Sequence, residues 1–228
     1  EASSVEGVHI LCLFEPGTNQ GTLQRYLGAL EVTDTDPNPD LSSRTVTGIC
    51  DFVHEQGGIA IGAHATNAKG VLRALDGQAC IRAWQSENLL AVQLPGAISD
   101  LPMNFRGILR NNNPDYRREN APEPDQAIAT INAKDVAEPG DLREPAASTF
   151  IKMTTPSIEA LRQACLDPDS RIRLHSDPEP PERVRFVAMA WEGGFLDGLR
   201  VRFNRNLNVL IGGKGTGKST LIESIRYV

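Results

Sequence analysis

Residues 208–225 read NVLIGGKGTGKSTLIESI, an apolar segment followed by a glycine-rich turn and an amphipathic segment. Within this stretch, residues 212–219 match the pattern G-x-x-x-x-G-K-[ST], which carries its usual meaning only between a strand and a helix. The apolar run 207–211 predicts that strand, and the periodic segment after the loop predicts that helix. The C-terminal part of the chain is therefore expected to contain a strand, a loop and a helix in direct succession.

The residue types of this loop suit a triphosphate. Glycines allow successive backbone N–H groups to point inward at the positive end of the following helix. Lys218, the predicted catalytic residue, adds a cation for the β- and γ-phosphates, and Ser219 offers a hydroxyl to Mg²⁺. The alternative is an ordinary glycine-rich turn between a strand and a helix. We predict ATP and Mg²⁺ as cofactors, with the binding residues Gly212, Gly213, Lys214, Gly215, Thr216, Gly217, Lys218, Ser219 and Thr220.

The segments around the loop predict its structural support. Residues 184–191 and 196–203 are strand candidates, and alternation in the second places Arg200 and Arg202 on one face. With Arg205 they form a basic row, which is either a solvated sheet face or a phosphate-contacting stripe for DNA. The buried face of the helix after the loop is predicted to carry Leu221, Ile222 and Ile225.

Residues 194–228, GFLDGLRVRFNRNLNVLIGGKGTGKSTLIESIRYV, resemble the opening of the ATPase heads of the structural-maintenance-of-chromosomes (SMC), recombination and ABC-related group. The resemblance implies the first strands, the phosphate loop and the first helix of such a head, with homodimerisation through the heads in the full-length protein. The Walker B strand, the signature motif and the switch residues of that group do not occur in these 228 residues. We therefore expect nucleotide binding rather than complete ATP hydrolysis by this chain.

The segment 175–182, HSDPEPPE, is the predicted boundary between two domains. Its three prolines lack backbone donors, and with its three acidic residues they disfavour both helix and sheet. Residues 182–228 carry eight Lys and Arg against four Asp and Glu, which leaves −10 for residues 1–181, because the whole chain carries −6. The expected domains are 1–174 and 183–228, joined by this linker.

The N-terminal domain alternates strand-like and helix-like segments, the pattern of an α/β fold. Strands are predicted at 8–14, 59–63, 89–94, 127–133 and 148–153, and helices at 22–30, 67–75, 80–85, 101–110 and 156–166. A further helix is expected to begin after Ser42 or Ser43 and to end at Gln56, before Gly57 and Gly58. Apolar residues along both faces of segment 8–14 predict a parallel or mixed sheet covered by helices.

Two histidines interrupt apolar strands of this domain. His9 lies within the first predicted strand, and His64 follows the second predicted strand, 59–63, at its carboxyl end, where α/β barrels place catalytic side chains. A lone histidine of this kind is more often a core residue than a ligand. Two of them, together with Glu1 and Asp135, favour a metal site.

Three segments resemble the metal-ligand segments of the polymerase and histidinol phosphatase (PHP) phosphoesterases: EASSVEGVHIL at 1–11, IAIGAHA at 59–65 and NAKDVAEPGDL at 132–142. The resemblance implies a partial PHP-type distorted β/α barrel whose metal ligands include Glu1, His9, His64 and Asp135, with Zn²⁺ or Mn²⁺ activating a water for phosphoester hydrolysis. Ser219 remains the predicted ligand of Mg²⁺ in the other domain. Ala137 stands where the family has a final histidine.

The whole layout, including residues 150–174 and 188–199, resembles the TrlF-type family, in which a PHP domain is fused to an SMC-like ATPase. The chain is then expected to be an internal fragment. The resemblance implies ATP-coupled phosphoesterase or nuclease activity on DNA or RNA in the full-length protein. The alternative hypothesis is a non-catalytic, nucleotide-responsive regulator with a degenerate PHP domain, which Ala137 favours.

Composition excludes other classes. Cys12, Cys50, Cys80 and Cys165 lie far apart without a CxxC pair, which disfavours a disulfide scaffold or a zinc ribbon. No apolar run reaches the length of a membrane span, of about 18 residues. We expect a soluble protein of the reducing cytoplasm with no membrane partner.

Overall fold

The computed structural model describes residues 1–32, 41–119, 126–133, 138–143, 148–179, 181, 184–205 and 207–227. They form two compact units, Glu1–Asp177 and Pro178–Val228. The division falls within the proline-rich, acidic segment 175–182. No helix among the described residues has the length and the apolar character needed to cross a membrane.

A five-stranded mixed sheet is the centre of the first unit, which confirms the predicted α/β class. Its spatial order follows the chain, with antiparallel pairing between the first three strands and parallel pairing between the last three. The strands are β1 (Ala2–Ser3), β2 (His9–Leu13), β3 (Ile59–Gly62), β4 (Leu89–Leu94) and β5 (Ala129–Asn132). The predicted strand at 89–94 is confirmed at both of its ends.

Helices connect and cover these strands. They are α1 (Gln20–Ala29), α2 (Val46–Glu55), α3 (Val71–Ala74), α4 (Gly77–Trp84), α5 (Met103–Leu109), α6 (Ile158–Leu166) and α7 (Pro168–Arg171). The prediction of Ser42 or Ser43 as the cap of α2 is wrong, because the side chain of Thr45 accepts from the N–H of Gly48 at 3.2 Å. The predicted end of α2 at Gln56 is confirmed to within one residue, since the helix ends at Glu55.

The predicted helix at 67–75 is much shorter in the structure. Residues before Val71 form turns instead, with the N–H of Asn67 bonded to the carbonyl of His64 and the N–H of Gly70 bonded to the carbonyl of Asn67. A Cβ at Gly70 would lie 2.2 Å from the carbonyl oxygen of His64, so only glycine fits there. This close backbone approach keeps the segment after β3 in a compact turn.

Each face of the sheet packs against its own helices. Ala60 of β3 belongs to the larger core, with Ile49 and Val53 of α2 and Trp84 of α4. Ile59 and Ile61 face the other side, where they pack with Ile158 of α6. Because all four residues of β3 are buried, this strand is covered on both faces, as expected for a strand with a parallel neighbour.

A two-stranded antiparallel ribbon completes the first unit. It pairs β6 (Thr149–Ile151) with β7 (Ile172–Leu174). The hydroxyl of Thr149 bonds to both the N–H and the carbonyl of Asn132, which ties the ribbon to the end of β5.

The second unit contains a hairpin and the helix after the loop. The hairpin pairs β8 (Ala188–Ala190) with β9 (Arg200–Arg202), and the helix is α8 (Lys218–Arg226). Leu221 is buried as predicted, Ile225 is half-buried, and Ile222 is exposed, so the prediction for Ile222 is wrong.

The predicted strand at 207–211 is absent from the described structure. Its apolar side chains are exposed, Ile211 to 92 %. A strand exists only where a neighbour completes its hydrogen bonds, and the described residues provide none beside this segment. The apolar character of residues 207–211 was therefore insufficient to predict a strand there.

Arg118 is a buried cation that joins the end of α4 to the beginning of β4. Only 8 % of it is exposed. Its guanidinium donates to the carbonyl oxygens of Trp84, Ser86 and Leu89, the last two at 3.0 and 2.8 Å. Burial lowers the pKa of Arg118 to about 10, so the side chain stays charged at neutral pH.

We expect Arg118→Met to lower the free energy of unfolding by about 3 kcal/mol, because it leaves two buried carbonyls and one half-buried carbonyl without their donor. Urea denaturation measures the change. The matched control is Arg117→Met, at an exposed neighbouring position, with an expected effect within about 0.5 kcal/mol. Equal effects of the two substitutions would contradict this role of Arg118.

Candidate functional site

The backbone of the phosphate loop, residues 212–219, takes a conformation that requires its glycines. Gly215 has φ +82° and Gly217 has φ +84°, in the left-handed region that side chains rarely adopt. Gly217 also caps α8, so no side chain of its own can occupy the first N–H groups of the helix. These N–H groups, at the positive end of the helix, are suited to an anion.

Lys218 lies at the centre of the loop. Its Nζ donates to the carbonyl oxygen of Gly212 at 2.6 Å and to that of Gly213 at 2.5 Å. The hydroxyl of Thr216 also donates to the carbonyl of Gly213, at 2.9 Å. The loop therefore curls around an ammonium group whose partners are neutral carbonyls, which an anion can replace.

A pocket of about 310 Å³ opens beside the loop. The predicted binding residues that line it are Gly215, Thr216, Gly217, Lys218, Ser219 and Thr220. Gly212, Gly213 and Lys214 belong to the loop but are not part of this lining. Phe195 also lines the pocket. Phe195 was not predicted from the sequence, although its place in a glycine-rich turn before the loop was a usable signal.

In the first unit, the sheet register brings His9 and His64 together. Strand β2 begins at His9 and runs antiparallel to β3, and His64 follows the end of β3. The N–H of Ala63 bonds to the carbonyl of His9 at 3.1 Å. Both histidines therefore lie at the carboxyl edge of the parallel strands β3 and β4, where open α/β sheets bind ligands.

The two imidazole rings have their centroids 5.1 Å apart and meet edge to face, at 64°. The Glu1 carboxylate pairs with Nδ1 of His9, whose side chain is only 14 % exposed. Because Glu1 pairs with Nδ1, Nε2 is the ring nitrogen of His9 that a ligand or a metal ion could use. Glu1, His9 and His64 are called the histidine cluster below.

His64 has an unusual backbone conformation, with φ +30°. Its N–H donates to Oε1 of Gln93 at 3.2 Å, and Nε2 of the same amide donates to the carbonyl of Ala133 at 3.0 Å. Gln93 thus joins the segments that follow β3 and β5. Strain of this kind concentrates at functional sites. Gln93 was not predicted from the sequence.

The surroundings of His9 favour its neutral form. Burial lowers the pKa of His9 below its ordinary value of 6.5, and the charges of Lys69 and His64 act in the same direction, against the raising effect of Glu1. Lys69 follows His64 in the turn, and its carbonyl accepts from the N–H of His9 at 3.0 Å. A neutral imidazole is the form that binds a metal or accepts a proton.

The donor types of the histidine cluster suit Zn²⁺, Mn²⁺ or Fe, which share imidazole and carboxylate ligands. Asp135, the fourth predicted ligand, lies outside the described residues, as does Ala137. Within the described residues, no group of three or more His, Cys, Asp or Glu side chains is arranged to hold a metal ion. The histidine cluster by itself is therefore not a complete metal centre.

The basic row of the second unit faces solvent. Arg200 and Arg202 are exposed on β9, and Arg205 is exposed after it. This arrangement fits a solvated sheet face and equally leaves the guanidinium groups accessible to a phosphate backbone.

We expect Lys69→Met to raise the pKa of His9, because it removes a cation that disfavours the imidazolium. NMR titration of the histidine ring signals measures this pKa. The control is Lys152→Met, since the charge of Lys152 is not among those that act on His9. A His9 pKa that stays the same without the Lys69 ammonium would contradict the described geometry.

The phosphate loop and the histidine cluster lie in separate units of the chain, and each is held by contacts within its own unit. No protein-family model, curated protein or solved structure matches the chain.

Proposed function

We propose that the chain binds ATP with Mg²⁺ through residues 212–220, as the beginning of an SMC- or ABC-like ATPase head joined to a PHP-type phosphoesterase unit. One observation carries the nucleotide assignment. The ammonium of Lys218 is held inside the loop by the carbonyls of Gly212 and Gly213, beside an open pocket. Gly215 and Gly217 have left-handed backbone conformations, and successive N–H groups of such loops can converge on an anion.

In this proposal the loop binds phosphate by exchange of partners. The Lys218 ammonium leaves neutral carbonyls for the β- and γ-phosphate oxygens, which are stronger acceptors because they are charged. The N–H groups at the start of α8 donate to the same oxygens, and the Ser219 hydroxyl is the protein ligand of Mg²⁺. These interactions bind and orient the nucleotide, and hydrolysis belongs to the full-length protein.

The histidine cluster supports the second part of the proposal, a metal-dependent phosphoesterase or nuclease. Glu1, His9, His64 and Asp135 would hold Zn²⁺ or Mn²⁺, and such an ion lowers the pKa of a bound water. The residues themselves contribute orientation: Glu1 holds Nδ1 of His9, and Gln93 holds the backbone of His64. The neutral state of His9 is compatible with ligation.

The proposed partners and location follow from the same assignments. DNA or RNA is the proposed substrate class, and the exposed Arg200 and Arg202 are candidates for phosphate contacts. Homodimerisation through the ATPase heads is proposed for the full-length protein. The four cysteines are free thiols, which suits the reducing cytoplasm.

A second candidate function is a nucleotide-responsive regulator whose first unit no longer catalyses. The observation that favours it is that no group of three His, Cys, Asp or Glu side chains among the described residues, the histidine cluster included, is arranged to hold a metal ion. In that case the Glu1–His9 pair is a structural contact and the first unit serves as an interaction platform. Metal binding distinguishes the two functions.

We expect Lys218→Ala to weaken ATP binding by roughly 10- to 100-fold, because it removes an ionic hydrogen bond to phosphate. Isothermal titration calorimetry on the full chain with Mg²⁺ measures the affinity. Lys152→Ala is the control, since Lys152 is an exposed lysine outside residues 212–220. The assignment fails if Lys218→Ala and the wild-type chain bind ATP equally well.

We expect the chain to bind Zn²⁺ or Mn²⁺ weakly and to show no phosphodiester turnover. His9→Ala and His64→Ala should each remove this metal binding, because each takes away one of two adjacent imidazoles. Calorimetric titration with each metal measures it, and His175→Ala, at an exposed histidine, is the control. Absence of metal binding in the wild-type chain would favour the regulator, and binding unaffected by either substitution would exclude the histidine cluster as the site.

A further inference from the structure

One face of the ribbon formed by β6 and β7 carries an exposed aromatic ring among cations. Antiparallel pairing places Phe150 directly opposite Arg173, and the bond from the N–H of Lys152 to the carbonyl of Arg171, at 2.7 Å, continues this register one pair further. Because side chains alternate between the two faces of a strand, these four residues share a face, and the ring of His175 lies beside that of Phe150. Phe150, Lys152, Arg171, Arg173 and His175 are called the ribbon face below.

The opposite face of the ribbon packs against the rest of the first unit. There, Ile172 packs against the core between the sheet and α6, and Leu174 is buried. Phe150 is by contrast 48 % exposed, and Lys152 and His175 are exposed as well. The ribbon face is therefore the solvent side of the ribbon.

The ring of Phe150 lies among other planar groups. The guanidinium carbon of Arg173 is 4.2 Å from the centroid of this ring, a distance typical of cation–π stacking. The His175 ring is nearly parallel to that of Phe150, at 23°, with the two centroids 6.5 Å apart. Nη1 of Arg173 donates to the carbonyl oxygen of Asp177 at 3.3 Å, which orients the guanidinium without neutralising its charge. The ribbon face thus combines flat surfaces with positive charge.

The ribbon face is cationic although it belongs to an acidic part of the chain, since residues 1–181 carry a net charge of −10. Asp167 pairs with Arg171, with Oδ2 3.6 Å from Nε. The Asp177 carboxylate accepts from the N–H of Leu174 at 2.7 Å and is thereby held at the end of β7. Among the described residues, no carboxylate forms an ion pair with the other two cations of the ribbon face, at positions 152 and 173. These two charges are therefore suited to an external anion.

From this arrangement we propose that the ribbon face binds single-stranded nucleic acid. Unpaired bases stack on the planar groups of Phe150, Arg173 and His175, because aromatic rings and guanidinium planes both accept the face of a base. The phosphates lie beside the ammonium of Lys152 and the guanidinium of Arg173. The inference rests on the proposed function and deepens it, since it names the form of the nucleic acid and the surface that holds it.

The planar groups distinguish this ligand from other polyanions. An acidic peptide or an anionic lipid surface would use the same charges, but carboxylates and lipid head groups have no π-face to stack on Phe150. A nucleic-acid duplex has such faces, but base pairing and stacking hide them inside the helix. Unpaired bases on a phosphate backbone are therefore the ligand that uses both properties of the ribbon face.

The experiment measures the binding of fluorescent oligothymidylate to the full chain by anisotropy at several salt concentrations. The oligothymidylate–oligoadenylate duplex and vesicles of phosphatidylcholine with phosphatidylserine are the comparison ligands. The single strand is expected to bind more tightly than the duplex, and its affinity is expected to fall as the salt concentration rises.

Phe150→Ala is expected to weaken single-strand binding about tenfold and to leave duplex binding unchanged, because only unpaired bases stack. Phe150→Leu keeps an apolar side chain but lacks an aromatic face, and it should show the same loss, whereas Phe150→Trp should retain the affinity. Arg173→Gln should weaken the binding of both nucleic acids and lower the logarithmic salt slope of the single strand by about 0.7. The matched controls are Met103→Ala and Arg82→Gln, at exposed residues of the same unit outside the ribbon face.

The outcomes separate this inference from the proposed function. If Arg200→Gln together with Arg202→Gln abolishes single-strand binding while the Phe150 variants bind as the wild type does, nucleic acid remains the substrate class and the ribbon face is refuted. An equal loss of single-strand and duplex binding in Phe150→Ala would also refute it, because the ring would then only shape the surface.

A wild-type chain that binds the vesicles but neither nucleic acid, or that binds none of the three ligands, would refute both the ribbon face and the proposed substrate class. ATP binding by the phosphate loop is tested separately with Lys218→Ala, and it should stay the same in every ribbon-face variant. Urea denaturation of each variant shows whether a loss of binding comes from unfolding, and Phe150→Trp then provides the folded comparison.

Discussion

The burial of β3 on both of its faces is the constraint on which the first unit depends. Ile59 and Ile61 need the helix α6 on one side, and Ala60 needs α2 and α4 on the other. Burial of an Ile side chain stabilises the fold by roughly 1.5–3 kcal/mol, so neither layer of helices is dispensable. The same strand sets the edge at which His64 emerges beside His9, and the stability of the core and the geometry of the histidine cluster are thereby linked.

The phosphate loop depends on a different and more local constraint. Its left-handed glycines and the bonds from Lys218 to neighbouring carbonyls lie within a few residues of one another. The geometry of the loop is therefore local. The exposed segment 207–211, which precedes it, pairs with no strand among the described residues. The conformation of the loop thus depends on contacts within the loop itself.

The sequence predicted the secondary structure well where the deciding interactions lie within one element, and poorly where they come from another part of the chain. Strand β4 and helix α2 were predicted well, because apolar periodicity reports burial within one element. The helix predicted at 67–75 was shortened by a backbone contact between Gly70 and His64, and the strand predicted at 207–211 lacks a neighbour among the described residues. Both predictions were wrong because the contact that decides the structure involves residues outside the predicted element.

The sequence by itself determined the residues of the phosphate loop, because pattern, glycine conformation and helix start are all local to residues 212–219. It also pointed to His9 and His64 as candidates. Only the tertiary structure decided that their rings lie 5.1 Å apart, because that distance depends on the antiparallel register of β2 and β3. The contacts of Lys69 and Gln93 with this cluster, and of Phe195 with Gly217, likewise come from turns and strand ends that converge in space. Residue type and spacing do not encode such convergence, since it depends on how separately formed elements pack.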